Sequence, residues 1–574
     1  MAGREGHAVI HCGDGPHAGW HTFRNPARIL RTRTLSDVAG IVRQAADATC
    51  AGWKVAGFVA YEAAPAFDRA LVAHPPSGWL AWFGLYPADQ VRRGIEPPDA
   101  FHPHSPAVWQ SDLDEATFAR GITAIREHIA AGETYQVNYT HRLRAEAGAD
   151  AWSLFLDRLL IQPVPHAAFL DMGDTAVCSW SPELFFHQHG RRVVCRPMKG
   201  TARPQSDPGE LSGSGKNRAE NIMIVDMIRN DLGRVAIPGT VRADRLFEVE
   251  DYSTVQQMTS TVTAETDTDW AGVFGALFPC ASVTGAPKVH TMGIIRELEP
   301  SPRGVYTGSI GFALGPRDAS FNVAIRTAVL DRPGRAMEYG VGSGVVWDSV
   351  AADEWEECAR KSSMLKKDAP AFDLLETLRW TPEAQYVHLD HHLQRLLNSA
   401  EFWGFHVKEE AVRAALRHAS STWSLTPMRV RLLAGRQGVI RVEGTPFAPA
   451  PERIRAVLDD RPVPTSDPLL YHKTTARAVY DQARARHPDA EDVLLWNAAG
   501  HACEFTIGNL VAEIDGRLLT PPVPHGLLPG VRRALDLAAG KILEAAIPMA
   551  DLKRSTAIYR INSLRGWIPV DLDG

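Results

Sequence analysis

The sequence predicts an α+β protein built as two domains. Three observations lead there. The chain has 574 residues, long for one hydrophobic core. Short apolar runs that read as strands are mixed with amphipathic helices. A charged, proline-containing stretch, Lys366-Lys-Asp-Ala-Pro370, separates two patterns. The expected division is a first domain over residues 1–366, a linker at 367–371 and a second domain over 372–574.

Composition excludes several function classes. The chain is 45% hydrophobic and 22% charged, with a net charge of −6. That mild acidity, without a basic run carrying interleaved aromatics, gives no footprint for nucleic acid. No stretch of about 18 apolar residues suggests a membrane span. The start, MAGREGHAVIHCGDG, lacks the apolar core of a signal peptide. The seven cysteines are scattered, with no CxxC. They fit a reducing, cytoplasmic location and argue against a disulfide framework or structural zinc.

In chain order, residues 36–49 read as a helix with Val38, Ile41, Val42 and Ala45 on one face. Gly57–Glu62 and Trp79–Tyr86 read as buried strands. Pro97–Pro106 is a Pro/His-rich loop. Residues 114–131 place Phe118, Ile122, Ile125 and Ile129 at helical spacing, with Asp114 as N-cap and Gly132 at the C-terminus. A strand then runs through Leu143. Residues 151–161 are helical, and strands are expected near 166–171, 175–180, 183–188 and 192–196. The run Lys216–Asn230 is a helix with apolar residues almost all round, so it is expected to be buried on most faces, its Asn221, Asp226, Arg229 and Asn230 meeting a polar network. Further expectations are a strand near 246–250, a helix at 288–299, strands at Val305–Leu314 and Phe321–Leu330, a glycine-rich turn at Gly340–Val346 and a helix at 351–366. The second domain opens at Phe372–Leu378. It continues with a helix at His391–Phe402, strands at 428–434 and 438–444, and one more within 449–464.

Chemistry concentrates between Ser181 and Arg234. Lys199 ends an alternating segment and sits between Pro197 and Gly200. A lysine held between breakers has little freedom, and if desolvated it becomes a neutral amine and a nucleophile. By itself, without the surrounding motifs, it reads as a solvated surface lysine. Glu297 and Glu299 end one helix, and Glu354 and Glu357 lie one turn apart on another. Clustered carboxylates suit Mg²⁺, although solvated helix faces give the same pattern. The Gly-x-Gly-Ser-Gly run could present backbone N–H groups to an anion.

Taken in order, GETYQVNY (132–139), SPELFF (181–186), PMKGTARP (197–204), KNRAENIMIVDMIRNDLGRV (216–235), SVTGAPKVHTMGIIRELEP (282–300), YTGSIGF (306–312), NVAIRT (322–327), GVGSGVV (340–346) and DEWEECARK (353–361) form one set. With them, residues 110–365 resemble the chorismate-utilising enzymes: anthranilate and aminodeoxychorismate synthase components I, and isochorismate and salicylate synthases. Residues 1–110 fit the looser N-terminal portion of that domain, whose fold is a large α/β sandwich. The resemblance implies Mg²⁺ on Glu297, Glu354 and Glu357, with Glu299 as a further ligand, facing the ring carboxylate of chorismate. It implies Arg326 and the backbone of Gly342, Gly344 and Val345 on the enolpyruvyl carboxylate, Thr284 and Lys288 lining the site, and Glu183 as general acid. Lysine at position 199 occurs in aminodeoxychorismate synthases, where it is a nucleophile, and in isochorismate and salicylate synthases, where it is a base. Two positions depart from the family pattern: Gln257 stands where many members have His, and Gly293 where many have Glu.

Residues 371–574 resemble the class IV, fold-type IV pyridoxal-phosphate enzymes. The resemblance rests on LDHHLQRLLNSA (389–400), YHKTT (471–475), EFTIGN (504–509) and TPP (520–522) followed by GLLPGVRR (526–533). It implies attachment of pyridoxal 5'-phosphate at Lys473 and pairing of Glu504 with the pyridine nitrogen. It implies a bidentate phosphate contact from Arg395 and a phosphate cup from the backbone of Ile507, Gly508, Gly530 and Val531. The class holds branched-chain and D-amino-acid aminotransferases as well as 4-amino-4-deoxychorismate lyase. Fusion to a chorismate domain favours the lyase. The two resemblances together imply amination of chorismate, then elimination of pyruvate to 4-aminobenzoate. The alternative is an anthranilate- or isochorismate-type synthase fused to a class IV aminotransferase. No glutamine amidotransferase motif is present, so ammonia is expected from free ammonium or a separate amidotransferase subunit. A homodimer through the second domain is a further expectation of the resemblance.

Overall fold

The period-2 apolar runs of the first 370 residues become strands in a computed structural model, which describes residues 5–98, 107–146, 150–202, 208–251, 256–423 and 426–573. The chain divides into two compact units, Met1–Pro16 with Trp20–Asp368, and His17–Gly19 with Ala369–Gly574. The expected loop at 97–106 falls mostly outside the described residues. Among the described residues, no helix is long and apolar enough to cross a membrane.

The first unit contains two ten-stranded sheets, each a path of nine strands plus one beside it: Gln110–Ser111 against Gln136–Glu146 in one, Arg242–Asp251 against Gln256–Glu265 in the other. One orders Gly285–Ala286, Gln136–Glu146, Ala336–Val345, Thr327–Asp331, Thr175–Ser181, His166–Asp171, His7–Cys12, Gly19–Phe23 and Val91–Arg93. The other orders Met198–Ala202, Gln256–Glu265, Arg192–Arg196, Leu184–His189, Asp318–Val323, Ser309–Gly315, Lys54–Val59, Ala81–Tyr86 and Arg28–Thr32. Their inner faces share a core. Phe23 of the first sheet meets Phe312 and Tyr86 of the second, with ring centroids 5.9 and 5.3 Å apart. Burying each such ring contributes about 1.5–3 kcal/mol. Helices cover the outside. Glu115–Ala130 starts at Asp114, whose carboxylate accepts the Thr117 N–H as an N-cap should. It packs Phe118 against Trp355 of the helix Ala351–Ser362. Ala151–Ile161 is capped by Asp150, and its Phe155 carbonyl accepts the Trp180 indole N–H.

Four local expectations are corrected. The glycine-rich segment is no turn: it is the second half of the strand Ala336–Val345, in register with Val137–Glu146. Glycine carries no side chain, so it shows no period-2 pattern. The stretch Phe321–Leu330 is two strands, Asp318–Val323 in one sheet and Thr327–Asp331 in the other. The strand expected from Val305 begins at Ser309, after a turn. The helix Gly215–Gly233 is buried on one face, through Ile224, Val225, Ile228 and Leu232, while Asp226, Arg229 and Asn230 are exposed. Only Asn221 of that set is buried, and its Oδ1 accepts the Ser260 hydroxyl.

The second unit has a four-stranded sheet and an eight-stranded one. Leu374–Thr381 and Met428–Ala434 are the centre of the smaller sheet, with the helices Leu389–Trp403 and Glu409–Ser420 beside it. In the larger sheet Ala502–Phe505 pairs with both Asp492–Trp496 and Gly508–Ile514, so six strands close on themselves. Closure removes the open edges and encloses Leu494, Phe505, Leu510 and Ile568.

Candidate active site

Two kinks where the chain passes between sheets lie side by side in the first unit. At Ser181-Pro-Glu183 the chain leaves one sheet and enters the other, and at Ala324–Arg326 it returns. Three bonds lock the kinks together. The Ser181 hydroxyl donates to the Val323 carbonyl (2.6 Å), the Val323 N–H to the Glu183 carbonyl (3.1 Å) and the Trp180 N–H to the Arg326 carbonyl (3.0 Å). Arg326 adopts φ +51°, which a non-glycine residue takes only where its surroundings enforce it. Both Glu183 and Arg326 are buried.

Around them gather further charged groups. The Glu183 carboxylate accepts the Ser282 hydroxyl at 2.6 Å. Burial nonetheless pushes its pKa up to about 7, against the pull of Ser282 and Lys199. Lys199 lies on the short edge strand Met198–Ala202, and burial holds its amine below the usual lysine value. Its Nζ packs on Gly344: a Cβ there would stand 2.8 Å from it. Lys361, from the helix Ala351–Ser362, donates to the Gly342 carbonyl (2.9 Å) and pairs with Glu357 (2.7 Å). Burial opposes both charges of that pair, but their attraction wins, so Glu357 titrates low and Lys361 high. The strand Ala336–Val345 pairs with Thr327–Asp331 only as far as Tyr339, leaving residues 340–345 one unpaired edge. Gly342, Gly344 and Val345 therefore sit on a backbone edge beside two lysines.

The other expected residues divide. Glu354 is buried and accepts the Ser349 hydroxyl at 2.7 Å. Glu297 is exposed at the end of the helix Lys288–Leu298. Glu299 is corrected as a metal ligand. Its oxygens are taken by Arg303 at 2.6 and 2.9 Å and by the Thr140 N–H and hydroxyl, both at 2.9 Å, with Arg142 3.8 Å away. It is the centre of a buried ion-pair network, where a cation is already supplied. Lys288 is bonded to Asp231 at 2.8 Å, and the Thr284 hydroxyl donates to the Cys280 and Ala281 carbonyls. Both are held by these bonds within the protein. Glu354 and Glu357 would hold Mg²⁺, which takes one or two carboxylates and fills its shell from water and substrate, only with Lys361 displaced from Glu357. Sequence reasoning missed Lys361, Ser282 and Gln136, although all three stand inside the quoted motifs.

In the second unit Lys473 follows the turn Pro468–Tyr471, its carbonyl accepting the Leu375 N–H. Burial, helped by the Arg395 charge, brings its pKa down to about 8. Glu504 is buried and accepts from the Tyr480 hydroxyl (2.9 Å), the Leu528 N–H (3.1 Å) and Asn509 Nδ2 (3.1 Å). Burial still raises its pKa to about 8; a cationic ring nitrogen beside it would reverse that. Gly530 precedes the helix Val531–Ala538 and makes room for Asn509, whose Oδ1 would stand 1.9 Å from a Cβ there. Gly508 likewise admits Arg560, and Ile507 is half-exposed at the turn before it. Arg395, expected on the phosphate, is held here by protein partners. Its Nε and Nη2 grip Glu376 at 2.8 and 2.6 Å, and Nη1 reaches the Pro529 carbonyl at 3.2 Å. Glu376 also takes His392 Nδ1 at 2.7 Å, and the Arg395 charge holds it down to about 2 against its burial. A deprotonable lysine, a carboxylate held by three donors and a helix N-terminus fit pyridoxal phosphate.

Comparison with known proteins identifies a family for each unit. Residues 14–367 match the family model of the chorismate binding enzyme, and residues 373–572 that of amino-transferase class IV. Aminodeoxychorismate synthase of Streptomyces griseus is 44% identical over 275 residues, 46% of this chain and 37% of its own length. Anthranilate synthase component 1 of Streptomyces coelicolor is 38% identical over 269 residues, 45% of this chain and 52% of its own. The chain thus spans well under two thirds of the curated relatives it matches. Anthranilate synthase component I from Streptococcus pneumoniae superposes with a TM-score of 0.51 at 21% identity, over 62% of this chain and 90% of that one, which shows the fold.

Proposed function

This chain belongs to the chorismate binding enzyme family, and we propose that its two units make 4-aminobenzoate in sequence. The first aminates chorismate to 4-amino-4-deoxychorismate. The second eliminates pyruvate from that product. The observation that carries the reading is Lys199, whose amine lies against Gly344 and within electrostatic reach of Glu183. A desolvated lysine with a lowered pKa, in electrostatic reach of an acid poised near neutrality, suits a nucleophile paired with a proton donor.

The nitrogen of Lys199 bonds to ring carbon 2 as the carbon 4–oxygen bond breaks. Glu183 protonates the departing hydroxyl, which leaves as water. Ammonia then bonds to carbon 4, and the carbon 2–nitrogen bond breaks, returning its electron pair to Lys199. Arg326, Lys361 and the open edge at Gly342–Val345 receive the carboxylates of the substrate. Glu354 and Glu357 would hold Mg²⁺, which when bound neutralises a ring carboxylate. In the second unit Lys473 takes the proton from ring carbon 4, and Glu504 and Arg395 orient the cofactor. Pyridoxal phosphate, when bound, supplies the electron sink, and aromatisation drives release of pyruvate. Ammonia would come from free ammonium or from a separate glutamine amidotransferase subunit. A homodimer through the second unit belongs to the same reading.

The test is to incubate the protein with chorismate, ammonium, Mg²⁺ and pyridoxal phosphate and to identify the aromatic product. 4-Aminobenzoate is expected. Anthranilate or salicylate would sink the reading. A Lys199→Ala variant is expected to lose 4-aminobenzoate formation from chorismate while still converting supplied aminodeoxychorismate.

A further inference from the structure

Gln136 opens the strand Gln136–Glu146 and is 1% exposed. Its backbone is engaged in the sheet: the carbonyl accepts the Thr134 hydroxyl at 3.1 Å, and the residue pairs with Ala286. Its side chain is not. Among the described residues, neither Nε2 nor Oε1 of the buried amide has a hydrogen-bond partner. An amide can make up to four such bonds, and leaving a buried polar group unsatisfied is costly, so it persists only for a reason. The place of the amide supplies the reason. A Cβ on Gly344 would stand 2.6 Å from Gln136 Nε2 and 2.8 Å from Lys199 Nζ. The amide and the lysine amine therefore crowd one point on the open edge of the glycine-rich strand.

We propose that Gln136 is a substrate-contacting residue of the first unit, its amide hydrogen-bonding an oxygen of the ring substrate laid against Gly344 beside Lys199. The inference rests on the chorismate reading and adds a contact to it. An amide suits this position for a physical reason. It is neutral, so it leaves the charge balance of Lys199, Glu183 and Lys361 untouched. It also offers both a donor and an acceptor to a substrate whose hydroxyl and carboxylate oxygens need each.

A Gln136→Met variant tests it, because methionine keeps the length of the side chain and removes the polar atoms. Removing an unpaired buried amide relieves a cost in the free protein, while a substrate contact is lost. The full-length variant is therefore expected to melt at the same temperature as the parent or higher, and to show a KM for chorismate raised tenfold or more. An unchanged KM overturns the proposal. So does a melting temperature lowered by several degrees, which would mark the amide as a structural group. Binding without turnover separates this proposal from the reading beneath it. In Lys199→Ala protein, chorismate is expected to raise the melting temperature, and adding Gln136→Met to diminish that rise. A rise that Gln136→Met leaves intact overturns the Gln136 contact alone. No rise with chorismate in Lys199→Ala protein overturns the chorismate reading and the contact with it.

Discussion

On the proposed mechanism, Ser282 and Glu183 govern how the first unit handles a proton. The serine hydroxyl donates to the carboxylate at 2.6 Å and lies 3.2 Å from the Cys280 sulfur. A donor stabilises the ionised acid, so Ser282 draws the Glu183 pKa down from where burial alone would put it. The other charges facing Glu183 are Lys199 and Lys361, which act in the same direction. As a general acid Glu183 works protonated, so turnover falls as pH rises through its pKa near 7. A Ser282→Ala variant removes the donor and raises that pKa. The descending limb of the kcat profile should then move about one unit to higher pH, a charge-assisted hydrogen bond being worth roughly 1.5 kcal/mol. Ser282→Thr should restore the parent profile, and a limb that stays in place in Ser282→Ala would refute the coupling. The residue types of this site were legible in sequence, their partners less so. Lys199 and Glu183 stood out from breakers and neighbouring motifs. Lys361 and Gln136 looked ordinary, because their importance arises from which strand edge they face. Glu299 looked like a metal ligand until Arg303 and Arg142 closed round it.

The glycine-rich strand explains why elements were easier to read than their junctions. Side chains advertise a strand through alternation, and the helices at 115–130 and 151–161 through spacing and an aspartate cap. The strand Ala336–Val345 loses that signal at Gly340, Gly342 and Gly344, and the apolar pattern of 321–330 runs unbroken through a change of sheet at Arg326. What the glycines do is visible only from what lies over them. A Cβ at Gly342 would meet the Tyr139 carbonyl at 2.4 Å and the Thr140 Cα at 2.9 Å, both backbone atoms that cannot yield. One at Gly344 would have as its nearest neighbours the ends of two side chains, Gln136 Nε2 at 2.6 Å and Lys199 Nζ at 2.8 Å. The two substitutions should therefore separate. Gly342→Ala is expected to destabilise the fold by about 1–3 kcal/mol, measured by thermal or chemical denaturation. Gly344→Ala should leave stability close to the parent while cutting amination of chorismate at least tenfold, since Lys199 is pushed aside. Equal stability losses in both would show that Gly344 serves the backbone and not the site.

At the scale of the molecule, the residues proposed for the two reactions fall in separate units. Lys199, Glu183, Arg326 and Lys361 belong to the first unit, and Lys473, Glu504, Arg395 and Tyr480 to the second. No residue assigned to one reaction lies in the other unit. If the units act as two enzymes on one chain, their defects should complement in a mixture. Lys199→Ala protein lacks the first step and keeps the second; Lys473→Ala protein lacks the second and keeps the first. Neither alone should form 4-aminobenzoate from chorismate and ammonium. Mixed, they should form it after a lag, because aminodeoxychorismate must accumulate in solution before the intact second units take it up. The tether in the parent holds the second site at a raised effective concentration, so the parent should show a shorter lag at equal protein concentration. The lag in the mixture should shorten as both variants are concentrated, while that of the parent should not. A mixture that stays silent, although Lys473→Ala protein consumes chorismate and Lys199→Ala protein converts supplied aminodeoxychorismate, would mean the intermediate does not leave the chain that makes it.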